Sequence, residues 1–146
     1  MNATYRFGPV VIQSGLDLPE LPAASEAEAA VVTIEPCHTI EARPPQWYHA
    51  WIGSDGEEGL RIGRDAQGYR LQFPGLGEFA VSGDGGRVLA AMGDTSDETF
   101  RHLLLDQVMP LVLSHQGWCV LHAAAVAGVT GGVAFLGSTG QGKSTM

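Results

Sequence analysis

Residues 137–146 read GSTGQGKSTM. Gly137, Gly142, Lys143 and Ser144 satisfy G-x-x-x-x-G-K-[ST], the spacing of a phosphate-binding loop, and Gly140 adds a further flexible position. The chemistry explains the residue types. Glycines let successive backbone N–H groups turn inward as a nest for an anion, the lysine reaches the β- and γ-phosphates, and the serine hydroxyl ligates Mg²⁺. Lys143 is also the one lysine among the 8 basic residues of the chain. Only Thr145 and Met146 follow, too few for the helix whose free N–H groups and dipole complete such a site. The reading is therefore of an N-terminal piece of a longer protein, expected to bind nucleotide weakly or not at all by itself.

Working outward, the loop is preceded by two apolar runs, WCVLHAAAVAG (118–128) and GGVAFLG (131–137), joined through VTGG. They read as adjacent strands of a largely buried sheet, the second feeding straight into the loop. Before them, GDTSDETFRHLLLDQVMPLVLSHQG (93–117) carries Phe100, Leu104, Val108, Leu111 and His115 at helical spacing. Thr95 and Glu98 have the form of a capping box, and Asp94 and Asp97 favour the positive helix end. Pro110 removes a backbone hydrogen bond, which predicts a kink or break there, with Gly117 ending the segment.

From Thr4 to about Val88, short β-type runs alternate with Gly, Pro and Asp, the spacing of a small antiparallel sheet or barrel-like domain. LPELPAASEAEAA (18–30) interrupts it as a surface loop, suited either to dock a partner in extended form or to cover a sheet edge. Strict alternation in QWYHAWIG (46–53) puts Trp47, His49 and Trp51 on one strand face and Tyr48 and Ala50 on the other, more simply a core than a ligand groove. DGEE (55–58) reads as a solvated hairpin turn. The fold class is thus α+β: an N-terminal antiparallel β-rich domain (1–93), then the first helix, strands and phosphate loop of an incomplete α/β phosphate-loop domain (94–146).

Composition narrows the partners. With 16 acidic against 8 basic residues the formal net charge is -8, which repels nucleic-acid backbones and anionic lipid headgroups. Cys37 and Cys119 stand far apart in no metal-like or redox-like spacing, which fits a reducing cytoplasm. Neither a targeting segment nor a run of membrane-spanning length is visible.

LHAAAVAGVTGGVAFLGSTGQGKST (121–145) resembles the HPr serine kinase/phosphorylase family and its shorter relatives, in which a His-containing strand, a hairpin and a second strand lead into the phosphate loop. The family's histidine precedes the first loop glycine at the spacing of His122 and Gly137. YRFGPVVIQSGLDLPELP (5–22) is similar to the opening of HPr kinase-like proteins encoded beside peptide-modification genes, including lasso-peptide precursor kinases. The resemblance implies ATP- and Mg²⁺-dependent phosphoryl transfer to a serine of a peptide or small protein. It carries the phosphate loop onto Gly137, Ser138, Thr139, Gly140, Gln141, Gly142, Lys143, Ser144 and Thr145, with Lys143 and His122 as catalytic residues and Ser144 as metal ligand. A homo-oligomer is compatible with it. Ala123 stands where the HPr kinases usually have Gly, Thr145 replaces their usual Glu, and their catalytic aspartate would lie beyond Met146. The first two departures favour the broader relatives over HPr itself as substrate. The rival readings are a nucleotide-gated peptide-binding module without transfer activity and a transporter-type ATPase, a class that normally has its phosphate loop much earlier.

Overall fold

Leu71 and Phe73, Phe79 and Val81, and Val88 and Ala90 are buried, and each pair brackets a residue turned to the opposite side, the period-two pattern of strands with one face in a core. In the computed structural model, which describes residues 2–25, 27–41 and 45–137, these pairs lie on β6 (Gly68–Phe73), β7 (Gly77–Ser82) and β8 (Arg87–Met92). With β1 (Ala3–Phe7), β2 (Val10–Ser14), β3 (Val32–Cys37), β4 (Gln46–Ile52) and β5 (Glu58–Arg64) they form one eight-stranded sheet in the order β1-β2-β3-β8-β7-β6-β5-β4. Strands β4 to β8 run as an antiparallel meander, while β3 pairs in parallel with both β2 and β8.

The α+β expectation, an antiparallel domain followed by an α/β phosphate-loop domain, is overturned by this arrangement. The described chain is mostly β, and its main sheet is mixed. Short strands with frequent turn signals suggest hairpins throughout, but residues 15–31 form a crossover long enough to bring β3 alongside β2 in the same direction. The helix completes the same core as the sheet instead of opening a new layer. Phe100, Leu104, Val108, Met109 and Val112 are almost fully buried in one cluster with Ile12, Ile34, Phe79 and Val88. Phe79 and Phe100 stack with ring centroids 4.8 Å apart.

That helix is one continuous segment of three parts: α1 (Asp97–Leu103), a π-helical turn (Leu104–Val108) and α2 (Met109–His115). The expected interruption at Pro110 takes the form of the π turn. Pro110 has no N–H to donate, and the preceding Met109 N–H bonds to the Leu104 carbonyl five residues back. The N-cap is Ser96, whose hydroxyl accepts from the Thr99 N–H at 3.2 Å, one residue later than the capping box predicted at Thr95. At the other end Gly117, at φ +89°, lets the Trp118 N–H return to the Leu113 carbonyl at 2.9 Å.

The two sheet edges differ. Residues 22–24 run along β1, with Arg6 N–H donating to the Pro22 carbonyl and Ala24 N–H to the Thr4 carbonyl, each at 2.9 Å, so this part of the connection covers that edge. Strand β4 forms the other edge. There a bulge at Tyr48 breaks the alternation: Trp47 is opposite Gly63 while His49 is opposite the adjacent Ile62. Trp47 thus shares a face with Arg61, whose guanidinium lies 5.4 Å from its ring, while His49 and Trp51 meet edge to face at 4.7 Å on the other side. The expected common face for Trp47, His49 and Trp51 is lost. Nor are these residues core: His49 and Trp51 are exposed and Trp47 is only half-buried.

Candidate functional site

Two small-residue runs with glycines between them make a hairpin, and the structure forms it as β9 (Ala123–Gly128) and β10 (Gly131–Leu136). Gly131, at φ +144°, closes the tight connection. The pairing runs from Gly128 with Gly131 to Ala123 with Leu136. The ladder ends there, with His122 immediately before β9 and Gly137, the first glycine of the phosphate-loop motif, immediately after β10. Of the expected site residues these two are described. Ser138, Thr139, Gly140, Gln141, Gly142, Lys143, Ser144 and Thr145 lie outside the described residues.

The ribbon differs from expectation in burial. Val126, Val133 and Leu136 are each more than half exposed, so among the described residues β9 and β10 pair with one another and stay outside the core. The apolar run was legible as strand. Its partner surface was not.

His122 is exposed and stands on one wall of a cleft of about 470 Å³. The opposite wall is the outer side of the helix, contributing Asp106 and Gln107 from the π turn and Leu111 and Ser114 from α2, with Val120 beside His122. Asp106 Oδ2 approaches His102 Nδ1 at 3.1 Å, one helical turn back. A second hollow, of about 390 Å³, shares Asp106 and adds Glu20 and Glu98. In it the Arg101 guanidinium donates to Glu20 at 2.8 Å and holds that carboxyl below its ordinary range. Sequence reasoning missed the grouping of Asp106, Gln107 and Ser114 with His122. Its one signal was Pro110, since the irregular turn beside it presents Asp106 and Gln107.

Elsewhere, Cys37 is half-buried and burial pushes its thiol up, away from the reactive thiolate. No family, curated protein or solved structure matches the chain. Among the described residues no helix is long and apolar enough to cross a membrane.

Proposed function

We propose that the intact protein is an ATP-dependent kinase of the HPr kinase-like type, transferring the γ-phosphoryl group to a serine hydroxyl of a peptide or small protein. The observation that carries the reading is the complete G-x-x-x-x-G-K-S motif at 137–144, directly after β10, whose hairpin partner β9 begins one residue after His122. A reducing cytoplasm belongs to the same reading, since Cys37 and Cys119 are both unpaired.

In this account backbone N–H groups between Gly137 and Thr145 hold the phosphates, and Lys143 balances the charge that spreads over the γ-phosphoryl oxygens. The donor set suits Mg²⁺, because a serine hydroxyl and phosphate oxygens are hard oxygen ligands. When bound, the metal supplies further charge neutralisation, with Ser144 as its protein ligand. His122, which immediately precedes β9 as Gly137 follows β10, orients the phosphates or the acceptor. Little covalent chemistry is required of the protein beyond positioning.

The test is an ATP titration of the native-length protein beside Lys143→Ala, followed by transfer to serine peptides. Loss of binding and transfer in the variant supports the kinase. ATP binding without transfer to any peptide favours the nucleotide-gated binding module.

A further inference from the structure

We infer that the cleft between the π turn and the residues leading into β9 is the acceptor subsite, taking a serine-bearing peptide segment with an apolar neighbour of the serine and a basic residue close by. The inference rests on the kinase reading for what happens to the serine, and on the cleft itself for binding.

Three observations converge on this occupant. The cleft, at about 470 Å³, lies in the range that holds a few side chains of a ligand, and its walls are mixed. Leu111 and Val120 offer apolar contact, while Asp106, Gln107, Ser114 and His122 offer hydrogen-bonding groups of both kinds. Its continuity with the motif is the second point. His122 lines the cleft and immediately precedes β9, whose last pair, Ala123 with Leu136, leads on the partner strand to Gly137, so a serine seated beside His122 is on the side of the hairpin from which the motif starts. Charge is the third. Asp106 joins the cleft to the hollow of Glu20 and Glu98; Arg101 beside that hollow offsets Glu20, which leaves Glu98 and Asp106, the latter with His102 Nδ1 3.1 Å from its Oδ2, as the acidic groups there. A peptide with Arg or Lys near its serine meets complementary charge there, and one with Glu or Asp meets repulsion.

The π turn gives this wall its shape. An irregular turn has poorer hydrogen-bond geometry than a regular helix and is found most often at functional places. Here it carries both Asp106 and Gln107, side chains exposed to the cleft while their neighbours Leu105 and Val108 remain in the core.

The probes are two synthetic fluorescent peptides, each with one central serine next to leucine, flanked by arginines in one and by glutamates in the other. Binding to the native-length protein is read by fluorescence anisotropy with and without ATP and Mg²⁺. The arginine peptide is expected to bind at least about tenfold more tightly than the glutamate peptide. Ser114→Trp, which fills the cleft, and Gln107→Arg, which reverses its charge preference, are each expected to weaken the arginine peptide about tenfold or more. Both positions are exposed, and melting curves check that the variants fold. Wild-type affinity in both variants, or no binding of either peptide to the parent protein, overturns the subsite. Binding that obeys these expectations without phosphorylation of the serine keeps the subsite and removes the kinase reading. Phosphorylation that proceeds unchanged in Ser114→Trp does the reverse.

Discussion

Ala123 and Leu136 form the last pair of the β9–β10 ladder, so that His122 immediately precedes one strand as Gly137 immediately follows the other. Because cross-strand partners on a ladder lie within about 5.5 Å between Cα atoms, the Ala123–Leu136 pair brings the residue after the histidine and the residue before the phosphate-loop motif together. His122→Ala is expected to leave the melting temperature close to the parent value, since the side chain is exposed. Transfer to a serine peptide is expected to fall by about tenfold to a hundredfold, the scale of losing one positioning or proton-handling group. Steady-state kinetics beside thermal melting check both halves. A variant with unchanged turnover assigns His122 to structure alone.

Phe100 is the point at which the helix locks to the sheet. It stacks on Phe79, and a Cβ on Gly77 would come within 2.6 Å of its ring. Phe100→Ala is expected to cost about 3–5 kcal/mol by loss of buried area and by the cavity left behind. Chemical denaturation measures it. A loss below about 1 kcal/mol contradicts the shared core of helix and sheet.

At the helix start the structure separates two neighbouring hydroxyls. Ser96 caps through the Thr99 N–H, whereas Thr95 does not occupy the cap. Ser96→Ala is expected to lose about 1 kcal/mol and Thr95→Ala only a few tenths. Equal losses from the two, measured by denaturant midpoint, place the cap elsewhere.

On the sheet face away from the helix, buried Arg70 pairs with Glu78 at 2.5 Å. Glu78→Ala strands a guanidinium with little access to water and is expected to destabilise by about 3 kcal/mol, a figure discounted for the partial exposure of the glutamate. Replacing both, as Arg70→Met with Glu78→Leu, is expected to recover most of that loss, because neither charge is then left unmatched. A double variant no better than Glu78→Ala contradicts the pairing.

The legible part of this fold was whatever depends on residues close in sequence. The short β-type runs from Thr4 to about Val88 became strands, with TYRFGPVVIQS dividing into two, the turn residues marked the connections, and Pro110 and Gly117 marked the helix's irregularity and its end. What failed depends on partners distant in the chain. Nothing local says that β3 lies between β2 and β8, or that Phe100 and Val112 complete the sheet's core. The bulge at Tyr48 is similarly silent in sequence, and one extra residue was enough to part Trp47 from His49 and Trp51. For the site, the hairpin between His122 and Gly137 was readable and became β9 and β10. The cleft with Asp106, Gln107 and Ser114 arises only when the helix is packed in place.

The central claim is that Lys143 and the loop around it serve phosphoryl transfer to serine. The most direct measurement incubates the native-length protein and its Lys143→Ala variant with γ-labelled ATP, Mg²⁺ and serine peptides, and locates any label by mass spectrometry. The account predicts label on a peptide serine with the parent protein and a loss of about a hundredfold or more in the variant. Label transferred equally well by Lys143→Ala, or no label on any peptide although ATP binds, contradicts it.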